Sequence, residues 1–179
     1  MVTPQNSVLA LVDIQEKLAA AMDRREDLIR RLVQLARGCQ ILRIPILLAE
    51  QNPDRMGPTV TELREVLNGI SPLPKMTFSC WRDPGWSSAL RATGRKRVFL
   101  AGIETHVCIA QTAADLVSAG YAVEVVADAV ASRSPADKIV GLEKIKASNA
   151  GMTCVESVLF ELLETAEHPA FKEILRLVK

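Results

Sequence analysis

At 179 residues, 49% hydrophobic and 24% charged, the chain can bury one continuous core and is expected to form a single domain over residues 1–179. Its 22 Lys and Arg nearly balance 21 Asp and Glu, and a net charge of +1 argues against a nucleic-acid partner; the one basic run, Arg95-Lys96-Arg97, reads as a solvated turn ahead of a strand. Cys39, Cys80, Cys108 and Cys154 form no C-x-x-C pair, which argues against a disulfide framework or zinc site, and with no signal-like or membrane-spanning apolar run the expectation is a cytoplasmic protein without membrane association.

Taken in chain order, Ser7 to Val12, Ile44 to Ala49, Val98 to Ala101 and Ala122 to Ala127 are short apolar runs bounded by Asp, Gly or Pro, as expected of strands buried on both faces. Helical spacing fills Gln15 to Leu42, Val60 to Leu67, Cys108 to Ala119 and Pro135 to Ala147. A short strand at Met152 to Val155 and a helix at Glu156 to Glu164 follow. Alternation of this kind predicts an α/β fold with parallel strands, right-handed crossovers and helices on both faces. The stretch Gln51 to Trp86, broken by Pro53, Gly57, Pro58, Pro72, Pro74, Pro84 and Gly85, reads as loops around a short helix. Gly38, Gly120 and Gly141 read as punctuation or ends of helical stretches.

Ligands of open parallel sheets bind outside the carboxyl ends of the strands, so the residues that follow each apolar run are the ones to inspect. Asp13, Glu50 and Gln51, Lys75, Glu104 to Cys108, and Asp128 occupy those places. Cys108 stands where a strand turns into a helix, and a helix N-terminus lowers a thiol's pKa; buried packing is the ordinary alternative for a free cysteine. Asp13-Ile14-Gln15-Glu16 reads equally as a helix cap with Glu16 at its third position, and Lys75 as a solvated lysine. Asp128 reads as a cap or a hydrogen-bonding residue at a strand end. Packing is the default for Cys39, Cys80 and Cys154, while Trp81 and Trp86 suit either a pocket wall or a subunit contact.

Val12-Asp13-Ile14-Gln15, Pro74-Lys75-Met76-Thr77-Phe78-Ser79, Gly102-Ile103-Glu104-Thr105-His106-Val107-Cys108 and Ala127-Asp128-Ala129 resemble, in order, the sequence blocks of the isochorismatase-like cysteine hydrolases. Ala49-Glu50-Gln51-Asn52-Pro53, Ser132-Arg133-Ser134 and the segment from His168 to Ile174 resemble the isochorismatase domain-containing branch of that superfamily. The resemblance implies a three-layer αβα sandwich with a mostly parallel sheet of about six strands in the order 3-2-1-4-5-6. It also implies a triad of Asp13, Lys75 and Cys108, a cis peptide between Ile103 and Glu104, and an oxyanion hole built from the backbone N–H groups of Glu104 and Cys108. Gln15, Phe78 and Arg133 are weaker candidates for contacting substrate.

The activity so implied is hydrolysis of a small-molecule amide or related C–N bond through a thioester. Lys75 is expected to lower the pKa of both Asp13 and Cys108. Two other readings stand beside it: vinyl-ether hydrolysis of the isochorismatase type, which relies on the aspartate and needs no cysteine, and a non-catalytic interaction or redox-sensing module using Cys108. The resemblance implies no metal, because the nicotinamidase branch of the superfamily holds one through Asp and His residues in the loop after the second strand and that loop here carries no histidine; no nucleotide cofactor is expected, because no glycine-rich phosphate loop follows a strand. The resemblance further implies a homo-oligomer.

Overall fold

A computed structural model describes residues 2–179. The chain runs β1 (Ser7–Val12), α1 (Glu16–Ala19), α2 (Arg25–Ile41), β2 (Ile46–Gln51), α3 (Pro53–Met56), α4 (Thr61–Val66), β3 (Leu73–Lys75), α5 (Pro84–Ala92), β4 (Arg97–Ile103), α6 (Ala110–Ser118), β5 (Ala122–Ala131), α7 (Pro135–Ala147), β6 (Gly151–Thr153), α8 (Val155–Leu163) and α9 (Phe171–Val178). Six parallel strands form one sheet in the order β3-β2-β1-β4-β5-β6, so the chain starts at the centre, winds outward to one edge, then returns and winds to the other. The reversal falls between β1 and β4, where a crevice opens at the carboxyl ends.

Burial of β1 on both faces explains its unbroken apolar run, since every residue from Ser7 to Val12 is enclosed. Leu9, Leu11, Phe99 and Ala101 face one layer, where Leu28, Leu32 and Leu35 of α2 and Val158, Leu159 and Leu162 of α8 cover them. Val8, Ala10, Val12, Val98 and Leu100 face the other, under Trp86 and Leu90 of α5, Ala113 and Leu116 of α6 and Ile145 of α7. The side-chain period of two sends alternate residues of each strand into the two cores.

Several elements differ from the sequence expectation. The long helix predicted from Gln15 to Leu42 is two helices, broken where Arg24 takes a left-handed φ of 50° and Asp23 N–H donates to the Ser132 carbonyl at the end of β5. β2 begins at Ile46 rather than Ile44, and β5 extends to Ala131, which places Asp128 inside a strand. The region read as loops holds β3 and α5. β3 is three residues on the sheet edge with Pro74 at its centre, tolerable because an edge strand lacks a partner on one side. α5 starts where the Asp83 carboxylate accepts from Trp86 N–H at 2.9 Å, with Pro84 in the first turn. α9, near the C-terminus, was not anticipated; it anchors through buried Ile174.

Two glycines permit close approaches that shape the crevice. Gly102 has φ 127°, and a Cβ there would sit 2.1 Å from the Val12 carbonyl oxygen, so β4 meets β1 at this point only without a side chain. Gly141 lies inside α7 and not at a helix end; its Cβ would fall 2.7 Å from the His106 nitrogen. α7 thereby packs directly on the backbone of the turn that carries Cys108. Gly38 is likewise interior to α2, against Leu159, whereas Gly120 follows the end of α6 as read.

Candidate active site

Asp13 leaves β1 with φ 57°, a left-handed conformation that Asp tolerates better than most residues. Its N–H extends the β1 to β2 ladder by donating to the Ala49 carbonyl at 3.0 Å, and its own carbonyl accepts from Gln15 N–H at 2.8 Å. The helix that follows begins at Glu16 with Gln15 in the capping position, so the capping alternative does not hold: the Asp13 side chain points into the crevice. There Asp13 Oδ2 accepts from Lys75 Nζ at 2.8 Å, and both side chains are almost wholly enclosed. The other carboxylate oxygen, Oδ1, is buried without a conventional hydrogen-bond partner, and the Cys108 thiol interacts with the same carboxylate.

Lys75 closes β3, and the sheet register sets it beside Gln51 at the end of β2. Buried rather than solvated, its ammonium donates to Asp13 Oδ2, to Gln51 Oε1 at 2.7 Å, and to the carbonyls of Thr77 at 3.1 Å and Phe78 at 3.3 Å, with Cys108 Sγ at 4.0 Å. Gln51 is held in turn, donating through Nε2 to the Met76 carbonyl at 3.0 Å. Gln15 is fully buried and its amide is occupied by the protein: Nε2 donates to the carbonyls of Gln51 and Gly57, and Oε1 accepts from Gln51 N–H. It therefore braces the β2 loop, with both amide hydrogens committed to backbone carbonyls. Glu50, also buried, accepts from both the N–H and the hydroxyl of Thr59 at 2.7 Å and fixes the same loop from behind.

Cys108 sits in a π-helical turn, Thr105–Ile109, that continues into α6. The Glu104 carbonyl accepts from Val107 N–H at 3.1 Å and Ile109 N–H at 3.2 Å, and the Ile103–Glu104 peptide is cis. The Glu104 carboxylate accepts from the N–H and the Nε of Arg133 at 3.2 Å. His106 Nδ1 lies 3.0 Å from Ser132 Oγ, which ties the turn to the end of β5.

The electrostatics overturn one expectation. Burial and the adjacent Asp13 carboxylate push the Cys108 thiol well above its ordinary pKa, and Lys75, which works the other way, does not offset them. The thiol is therefore protonated at rest, contrary to the lowered value expected from a helix head and a neighbouring cation. Burial also raises Asp13 despite the ion pair with Lys75. For Lys75, desolvation favours the neutral form, but the facing Asp13 carboxylate outweighs it and keeps the amine protonated. Cys80 and Cys39 are wholly buried thiols pushed up to about 12, which accords with packing roles.

The remaining candidates lie further out. The Phe78 side chain is 56% exposed, and its contribution at the site is the carbonyl that receives Lys75. Arg133 is exposed and its guanidinium is turned onto Glu104. Trp86 is core, and Trp81 packs edge-on to Tyr121 at 5.4 Å beneath the Arg91 guanidinium, so neither tryptophan stands over the triad. Asp128 accepts from Val155 N–H at 2.9 Å and caps α8. Among the described residues no group of three or more His, Cys, Asp or Glu is arranged to hold a metal ion, and no helix is long and apolar enough to cross a membrane. Gln51, already marked by its place at a strand's carboxyl end, proves to be a partner of Lys75; no local signal in the sequence reveals Gly141 as the seat of the cysteine turn.

An all-parallel sheet in this order, with acid, amine and thiol gathered at its carboxyl edge, is the isochorismatase-like α/β fold. A model of the isochorismatase domain matches residues 7–157, and the chain belongs to that family. It is 39% identical to isochorismatase domain-containing protein 2 of Danio rerio across 97% of this chain and 87% of that one. Among solved structures, one described as the MAR1 ribonuclease of Caenorhabditis elegans superposes with a TM-score of 0.93 at 35% identity, covering 99% of this chain and 91% of the other. The Escherichia coli YcaC gene product, described as an octameric hydrolase of unknown specificity, shares the fold with a TM-score of 0.89 at 20% identity over 98% and 94% of the two chains.

Proposed function

We propose that this protein hydrolyses a small amide or related C–N bond through Asp13, Lys75 and Cys108. The observation that carries the reading is the buried ion pair of Asp13 and Lys75 at 2.8 Å, set against the Cys108 thiol. Buried ion pairs are weak devices for stability, and their presence at a strand-end crevice beside a nucleophile favours chemistry.

Because the thiol rests protonated, the proton leaves as the sulfur attacks. Asp13, raised by burial toward working pH, is the base that receives it. Sulfur bonds to the carbonyl carbon, the oxyanion forms against the N–H groups of Glu104 and Cys108, and the tetrahedral adduct collapses with cleavage of the C–N bond. Asp13 returns the proton to the departing amine. Water, deprotonated by Asp13, then attacks the thioester, releases the acid and restores the thiol. Lys75 remains charged throughout and balances the carboxylate. An oxyanion donor contributes about a hundredfold or more, whereas full ionisation of a free thiol would gain only about thirtyfold near neutrality. A site with a protonated resting cysteine is therefore a workable design. A homo-oligomer is proposed alongside, in line with the octameric state described for YcaC.

The test is turnover of a panel of small amides, with isochorismate and an RNA oligonucleotide included, by the wild type and Cys108→Ser, together with intact-mass detection of an acyl adduct. Amide turnover with an adduct that Cys108→Ser abolishes supports the proposal. Cleavage of isochorismate or RNA that survives Cys108→Ser overturns it, as does an absence of amide turnover.

A further inference from the structure

The carboxyl edge of the sheet holds a second concavity that includes no member of the triad. A cleft of about 440 Å³ opens between the start of α2, the end of β5 and the start of α7. Four basic side chains line it, Arg24, Arg30, Arg31 and Lys138, against three acidic ones, Asp23, Asp27 and Asp128. Two of the acids are already engaged. Asp27 accepts from Arg24 through one oxygen and from Arg30 at 2.9 Å through the other. Asp128 caps Val155 N–H through Oδ1 and stands 3.6 Å from Arg31 Nε through Oδ2, at the outer limit of an ion pair. Asp23 is exposed at the rim.

The bases are not matched in the same way. Lys138 is half-buried and makes no ion pair among the described residues; the nearest anions, Asp128 and Asp23, draw its charge while Arg24 repels it, and burial keeps its pKa below the ordinary lysine value. Arg31 is half-buried too: its Nη1 donates to the neutral Gln34 Oε1 at 3.2 Å, and its one ion pair is the long contact to Asp128. A charge withdrawn from water without a partner costs free energy, and a bound ion of opposite sign relieves that cost.

We propose that this cleft binds a compact oxyanion between Arg31 and Lys138, as a ligand site separate from the triad. The concavity at the carboxyl ends of parallel strands, a loosely committed guanidinium and an unpaired ammonium supply shape and charge together. The inference does not depend on the proposed hydrolase activity.

Inorganic phosphate is the probe, titrated into the full chain at constant ionic strength and followed by calorimetry. Saturable binding in the millimolar range is expected, weakened about tenfold by Lys138→Met and by Arg31→Gln, and unchanged in Cys108→Ser. The thermal midpoint of each variant in phosphate-free buffer, expected close to wild type for these partly exposed positions, shows that any loss belongs to the site and not to unfolding. Absence of saturable binding, binding as tight as wild type in both cleft variants, or loss of binding in Cys108→Ser overturns the proposal.

Discussion

Two regions deliver the acid, thiol and amine of the crevice, and they do so by different physics. β1 and β4 are central strands with both faces covered, and each ends at a residue placed by the sheet itself, Asp13 after one and the Cys108 turn after the other. The segment from Gln51 to Trp86 has one edge strand of three residues and short helices. It positions Lys75 through hydrogen bonds to Gln51 and to two backbone carbonyls, besides the bond to Asp13. Packing fixes the first pair of groups, and polar satisfaction fixes the third. The lesson is that a buried lysine in a proline-broken loop is held by the acceptors folded around its ammonium.

Substitutions in the two regions should fail in different ways. The largest effect is expected at the centre. Gly102→Val should lower stability by about 4 kcal/mol or more, since its Cβ meets the Val12 backbone. Urea unfolding that shows a midpoint near wild type would remove the claim that β4 and β1 close only at glycine. Next comes Lys75→Met, which strands the buried Asp13 carboxylate and should lower stability by about 3–5 kcal/mol. The Asp13→Asn/Lys75→Met pair should recover most of that loss, because it removes both charges together. A double variant no better than the single would show that Lys75 serves packing and not charge.

A smaller change is expected where α7 seats the cysteine turn. Gly141→Ala should cost about 1–3 kcal/mol, because the backbone it strikes has little room to yield. It should also slow turnover more than a distant substitution of equal stability does, and equal slowing by the two would separate Gly141 from the site. Asp83→Ala should be mildest, near 1 kcal/mol for a lost helix cap, with turnover retained; hydrogen exchange that leaves α5 unaltered would contradict its capping role.

The same contrast explains what the sequence disclosed. Unbroken apolar runs such as Val8 to Val12 declared central strands, and from them the crevice and most of its polar residues followed. β3 stayed hidden because three residues with a central proline carry neither a period nor a strand composition. α5 had a readable start in Asp83-Pro84, masked by the breakers around it. The elevated thiol pKa was invisible as well, since it arises from burial and from a carboxylate 95 positions earlier in the chain, against which a helix-head rule is too weak.

The most direct measurement is the pH dependence of Cys108 alkylation by iodoacetamide, read by peptide mass spectrometry in the wild type and in Asp13→Asn. A raised thiol pKa means the reactive thiolate is scarce at neutrality and grows with pH, so the wild-type rate should climb about tenfold per pH unit up to pH 9 or beyond without a plateau. Asp13→Asn removes an anion that raises that pKa, and should label faster at every pH below the plateau while losing turnover. A wild-type rate that levels off near neutrality, or labelling slowed by Asp13→Asn, would contradict a protonated resting cysteine with Asp13 as its base.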